Sequence, residues 1–188
     1  MTISLGARPE HGFDAPLGLL SDCHRRIERF LDTLLRVTDE CPDGTLTPRA
    51  RQGLEVALRY FREAAPRHTA DEEDSLFPRL RASPDPRARA AMEAVERLEA
   101  QHDAAAALHA EVDSLGRAWL ADERLVAADL ARLRALLIEL RSIYEEHIAA
   151  EDHGVFPLAA QLLDAAALAE VGQEMAARRG LTPPGTPA

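Results

Sequence analysis

Two stretches decide the reading of this chain, HTADEEDSLFP at residues 68–78 and HIAAEDHGVFP at residues 147–157. Both read H-x-x-x-E-[ED]-x-x-[LV]-F-P, and the second begins 79 residues after the first. Self-similarity at such a period means one structural unit made twice. A histidine and a glutamate four residues apart share a helix face, so each copy can direct both side chains at one point, with about 6 Å of axial rise between them. His24 stands 44 residues before His68, and His102 stands 45 before His147. The sequence therefore describes two helical hairpins carrying the same three polar residues.

Outward from these motifs, apolar residues recur at three- and four-residue steps in four long stretches. Leu17, Leu20, His24, Ile27 and Leu31 form one stripe, and Leu54, Leu58, Phe61, Ala65, His68, Glu72 and Leu76 a second. Met92, Val95, Leu98, His102, Ala105, His109 and Val112 form the third, and Leu133, Leu140, Tyr144, His147, Glu151 and Val155 the fourth. The polar residues lie on the core-facing stripes. The spacing predicts helices from about Pro16 to Asp39, from Pro48 to about Leu80, from Pro86 to about Leu115 or a turn beyond, and from about Asp122 toward Phe156. Asp14 and Thr47 are placed to cap the first two. Pro66 should kink or briefly break the second, and Pro157 should disrupt the fourth. A fifth helix fits Asp164–Arg179, with Gly180 as its stop and LTPPGTPA as a frayed tail. Long helices with short connections pack antiparallel. The expected fold is all-α: an up-down-up-down four-helix bundle over residues 1–163, an accessory helix over 164–180 and a tail over 181–188. The fifth helix would cap or brace the bundle, or contribute to a homodimer.

Composition agrees with helix. Of 188 residues, 46% are hydrophobic but only 4% aromatic, a poor basis for sheet. Basic residues number 22, all of them Arg, against 32 acidic ones, for a net charge of −10. Such a charge without a basic stripe repels phosphate backbones and anionic lipid, which argues against nucleic acid and membrane as partners. The start MTISLGARPEHGFD lacks a basic and apolar leader pattern, and no run reaches the ~18 apolar residues of a membrane span. A cytoplasmic protein is expected. Cys23 and Cys41 lack the spacing of a zinc ribbon or disulfide framework.

Burying two carboxylates and four imidazoles without compensation costs several kcal/mol per ionised group. A cation is the natural counterion for two glutamates among neutral imidazoles. Six ligands exceed what one tetrahedral zinc takes, whereas they suit two metals, each held by two histidines and bridged by both glutamates. Mixed imidazole and carboxylate donors favour iron or manganese.

With these residues in hand, the sequence resembles the hemerythrin-like family of HHE cation-binding domains over about Pro16 to Pro157. The resemblance rests on His24 in CHRRI, His68 and Glu72 in HTADEEDSLFP, His102 in AQHDA, and His147 and Glu151 in HIAAEDHGVFP. It implies a four-helix bundle around a pair of iron ions, oxo- or hydroxo-bridged, that reacts with O₂ or NO; manganese or zinc could substitute. The oxygen-carrying members have a histidine where Ala106 stands, and an aspartate five residues after the helix-four histidine where this chain has Glu151 at four. The pattern looks closer to a bacterial branch that includes di-iron proteins for iron-sulfur cluster repair.

The resulting expectation is a di-iron protein in which His24 and His68 hold one iron, His102 and His147 the other, and Glu72 and Glu151 bridge. It would bind or respond to O₂ or NO, for sensing, storage or detoxification, with a redox partner the sequence does not identify. The alternative is a redox enzyme reducing peroxide or NO, or repairing iron-sulfur clusters, with Tyr144 or His109 handling protons. His109, seven residues past His102, reads as a pocket liner or a core histidine. Tyr144 reads as a hydrogen-bonding group near the metal or as packing, and Cys23 as packing. His11 and His153 read as solvated, and Glu73, Glu145, Glu146 and Asp152, which flank the ligands, as a solvated face or a route for iron entry. Ala104–Ala107 would leave a small apolar pocket beside the metal or merely let helices approach closely.

Overall fold

A computed structural model describes residues 10–181. The expected tail over 181–188 falls, apart from Leu181, outside the described residues, as does the N-terminal stretch before residue 10. The fold is all-α, a four-helix bundle with an additional C-terminal helix, and among the described residues there is no strand. In chain order the elements are α1 (Pro16–Glu40), α2 (Pro48–Glu63), α3 (Ala65–Asp71), a π-helical turn (Glu72–Leu76) and α4 (Phe77–Ala82). They continue with α5 (Pro86–Asp122), α6 (Ala127–Ala150), a second π-helical turn (Glu151–Val155), α7 (Phe156–Leu162) and α8 (Ala165–Ala177). No helix among the described residues is long and apolar enough to cross a membrane.

Several ends follow their local chemistry. Thr47 Oγ1 accepts from Ala50 N at 3.1 Å, with Pro48 in the first turn of α2. Asp164 caps α8 by accepting from Ala167 N at 2.8 Å. Gly180, at φ +66°, ends it: Leu181 N reaches Ala176 O and Gly180 N reaches Ala177 O, the paired bonds of a left-handed glycine stop. The break before His68 falls at Ala64, and Pro66 lies in the first turn of α3, where its missing donor is harmless.

Two helix limits depart from expectation. α5 runs on to Asp122, and α6 begins at Ala127 instead of Asp122. The residues between are held by a distant loop: Leu46 N donates to Glu123 O at 3.0 Å and Leu125 N to Gly44 O at 2.9 Å, while Glu123 takes φ 57°. Gly44 has φ +77°, and a Cβ there would lie 2.0 Å from Leu125 O. Only glycine fits that approach.

The chain divides into two compact units. Among the described residues, one comprises 10–26, 67–97 and 149–181, and the other Ile27–Pro66 and Leu98–Ile148. In the second, Leu34, Leu54, Leu58, Trp119, Leu133, Leu136, Leu137 and Leu140 form a continuous apolar core, each 2% exposed or less. Full burial of such a side chain contributes about 1.5–3 kcal/mol. Trp119 Nε1 donates to Gly44 O at 2.8 Å, so its one polar atom is satisfied inside. In the first unit, Leu20, Leu76, Phe77, Leu80, Val155 and Phe156 are buried around a polar cluster.

Candidate metal centre

The two motif copies adopt the same unusual backbone. In each, the amide of the phenylalanine donates five residues back to the glutamate carbonyl, Phe77 N to Glu72 O and Phe156 N to Glu151 O. The following proline explains why. Pro78 and Pro157 have no N–H, and their rings would meet the carbonyl four residues back in a regular helix, so one residue bulges out and the helix resumes at Phe77 and Phe156. Pro157 thus opens α7 and does not end the helical run, a correction to the sequence expectation.

In the first unit, His24, His68, Glu72 and Glu151 come together. Their exposures are 1%, 4%, 0% and 0%. His24 Nε2 lies 3.0 Å from Glu151 Oε2 and 3.8 Å from Glu72 Oε1, and His68 Nε2 lies 3.3 Å from Glu72 Oε1. The two imidazoles meet edge to face, and His24 also stacks on Phe156 at 5.4 Å. Behind His24, Nδ1 faces Asp152 Oδ1 at 3.1 Å, and Ser21 Oγ donates to the same oxygen at 2.6 Å. Burial opposes charge on His24, yet hydrogen bonds with Asp152, Glu151 and Glu72 outweigh it and push its pKa up to about 12. Burial tends to raise the Asp152 pKa, but the bonds from His24 and Ser21 prevail and hold it below the usual carboxylate range.

In the second unit, His102 Nε2 and His147 Nε2 lie 3.1 Å apart, and His147 Nδ1 donates to Gln101 Oε1 at 3.1 Å. His109 belongs to another constellation. Its Nε2 lies 2.9 Å from Tyr144 Oη, and its ring stacks on Phe61 at 4.3 Å. Burial alone lowers its pKa to about 4. Tyr144 presents its ring edge-on to His147, with centroids 6.4 Å apart.

Within the first unit, His24, His68, Glu72 and Glu151 form a buried group of donors that could hold metal, one donor atom from each residue lying within 4.8 Å of the others. Neighbouring donors around an octahedral ion with ~2.1 Å bonds are about 3.0 Å apart, close to the His24–Glu151 and His102–His147 separations. The outer nitrogens fit as well. A proton held on Nδ1 by Asp152 or Gln101 leaves Nε2 with its lone pair inward, the usual way a protein fixes a metal-ligating imidazole.

Comparison with known proteins agrees with this geometry. The model of the hemerythrin HHE cation-binding domain matches residues 15–159. The chain belongs to that family. A relative of this hemerythrin-like domain is an uncharacterized protein of Haemophilus influenzae, 31% identical over 170 residues that cover 89% of this chain and 91% of that protein.

The hemerythrin-like domain also contains supports that sequence reasoning passed over. Asp152, read as flanking the ligands on a solvated face, instead meets His24 and Ser21 of α1. Gln101 precedes His102 and carried no signal. Asp71 is 0% exposed and is gripped by Arg178 and Arg179 of the C-terminal region, a pairing that no local pattern announces. His11, expected to be free in solvent, lies 3.3 Å through Nδ1 from buried Asp22, and its backbone N donates to the same carboxylate. Of Ala104–Ala107, only Ala105 is buried and the other three are exposed. Ala104, Ala106 and Ala107 therefore line no buried pocket, one of the two readings of this run.

Proposed function

We propose that this hemerythrin-like domain holds two iron ions and binds or responds to O₂ or NO. His24 and His68 serve one ion, His102 and His147 the other, and Glu72 and Glu151 serve both. The observation that carries the reading is the orientation of the imidazoles. His24 and His147 each spend the outer nitrogen on an acceptor, Asp152 or Gln101, and turn the inner one toward other donors. Glu72 and Glu151 neutralise bound cations, and the buried side chains of Leu76, Phe77, Val155 and Phe156 limit water in the first unit. Iron, when bound there, supplies reversible one-electron chemistry toward a diatomic ligand.

The deciding experiment is metal analysis of the purified protein with an optical spectrum before and after anaerobic reduction, then after addition of O₂ or NO. Two irons per chain, near-ultraviolet charge-transfer bands and a spectral response to gas are expected. A colourless zinc protein unchanged by either gas would sink the proposal.

One observation favours the enzymatic alternative. Tyr144 hydrogen-bonds His109 and also lines a cavity of about 320 Å³ with Glu28, Leu31, Asp32, Arg141 and Glu145, so a phenol–imidazole pair able to carry a proton borders a space of small-molecule size. Sustained turnover of peroxide or NO with an added reductant, lost in Tyr144→Phe, would select this reading over stoichiometric gas binding.

A further inference from the structure

The two motif copies match in backbone and in donor residues, but they are supported differently. Around Glu151 the positions equivalent to Asp71, Ser75 and Arg79 are Ala150, Gly154 and Leu158, which have no comparable polar reach. Around Glu72 those three positions are all engaged from the C-terminal region. Arg179 donates to Asp71 Oδ2 at 2.7 Å and to Oδ1 at 3.2 Å, and Arg178 donates to Asp71 Oδ1 at 3.0 Å and to Ser75 Oγ at 2.7 Å. Arg79 donates to the carbonyl of Ser75 at 2.9 Å and forms a two-pronged pair with Glu174 of α8 at 2.9 and 3.1 Å. Asp71 ends α3 and Ser75 lies in the π-helical turn, so Arg178 and Arg179 hold side chains one residue before and three residues after Glu72. The seating of α8 is itself close: a Cβ at Gly172 would lie 1.9 Å from Phe13 O.

We propose that the C-terminal helix is a working part of the metal centre, with Arg178 and Arg179 as positioning residues that hold the π-helical turn so that Glu72 faces the donors. The proposal rests on the two-metal reading. A buried carboxylate held by a forked Arg179 and by a second bond from Arg178 is geometrically restrictive, and outer contacts of this kind typically change metal affinity by about 10- to 100-fold when removed. The dependence is reciprocal: if docking of α8 favours metal, metal favours docking of α8.

Cobalt(II) is a suitable probe, because its visible d–d bands report ligand number and geometry. The full-length protein is titrated with Co²⁺ alongside R178A/R179A, R178K/R179K, Asp71→Asn and Gly172→Val. Expected results are at least about tenfold weaker binding and altered d–d bands in the double alanine variant, Asp71→Asn and Gly172→Val, with partial recovery in the double lysine variant. Leu136→Ala, a core truncation in the other unit, should lower the melting temperature and leave the Co²⁺ affinity unchanged. Hydrogen exchange of the α8 amides should slow when Co²⁺ is added. Equal affinity and bands in the parent and all α8 variants, or α8 exchange indifferent to Co²⁺, would overturn the inference while leaving the metal reading intact. A parent protein that binds no Co²⁺ would overturn both. Where the double alanine variant does not fold, Gly172→Val and the exchange measurement decide.

Discussion

His109 shows how a single buried imidazole sets a pH limit. Its pKa is lowered to about 4 by burial, against 6.5 in an unfolded chain. Above pH 6.5 neither state binds the proton, and the group is neutral to stability. Between 6.5 and 4 the unfolded chain is protonated and the native one is not, so stability falls as pH falls, by on the order of 3 kcal/mol over the window. Below 4 the loss levels off. Urea denaturation across that range should show a shallower pH slope in His109→Gln than in the parent; parallel slopes would mean that His109 is not neutral in the native state. Asp152 provides a test on the ligand side. Asp152→Asn keeps the shape but removes the charge behind His24, and metal affinity measured by competition with a chelator should fall about 10- to 100-fold, with little loss in fold.

The π-helical turns belong to the scale of the element. Each trades one regular hydrogen bond for a bulge that precedes a proline, a local cost retained at the two places where glutamates enter the centre. Pro157→Ala restores a donor and removes the ring clash, so the turn is free to rewind as α-helix. The melting temperature should rise while metal binding weakens, and an unchanged affinity would show that the bulge does not place Glu151. These turns also mark where the sequence stopped being legible. The helices could be read because apolar periodicity records which face is buried, and His68, Glu72, His147 and Glu151 could be placed inside because His-x-x-x-Glu lies on that face. A π-helical turn changes one bond and leaves the pattern of apolar residues almost untouched, so neither turn could be read, and the partners of Asp152, Ser21 and His24, lie more than 120 residues away. The start of α6 failed for a different reason: residues 123–125 bond to the loop at 44–46, and a contact across so many residues has no local trace. The grip on Asp71 by Arg178 and Arg179 was hidden in the same way.

At the scale of the whole molecule, metal and folding are linked. A cation that binds only the native state adds about 4 kcal/mol when present at a thousandfold excess over its dissociation constant. For a chain of this size that corresponds to about 10 °C in melting temperature. Calorimetry of metal-loaded and chelator-stripped protein should show a difference of that order, and coincident transitions would count against buried glutamates that need a counterion. Optical detection of such unfolding has a built-in bias. The chain has one tryptophan, Trp119, sealed at 0% exposure with its indole N–H on the Gly44 carbonyl. Its ultraviolet emission is a lamp that lights a single room. It will brighten or redden when the leucine-rich interior opens and stay dark to a C-terminal segment peeling away, so a fluorescence melt by itself would overstate how firmly the chain's last helix is held.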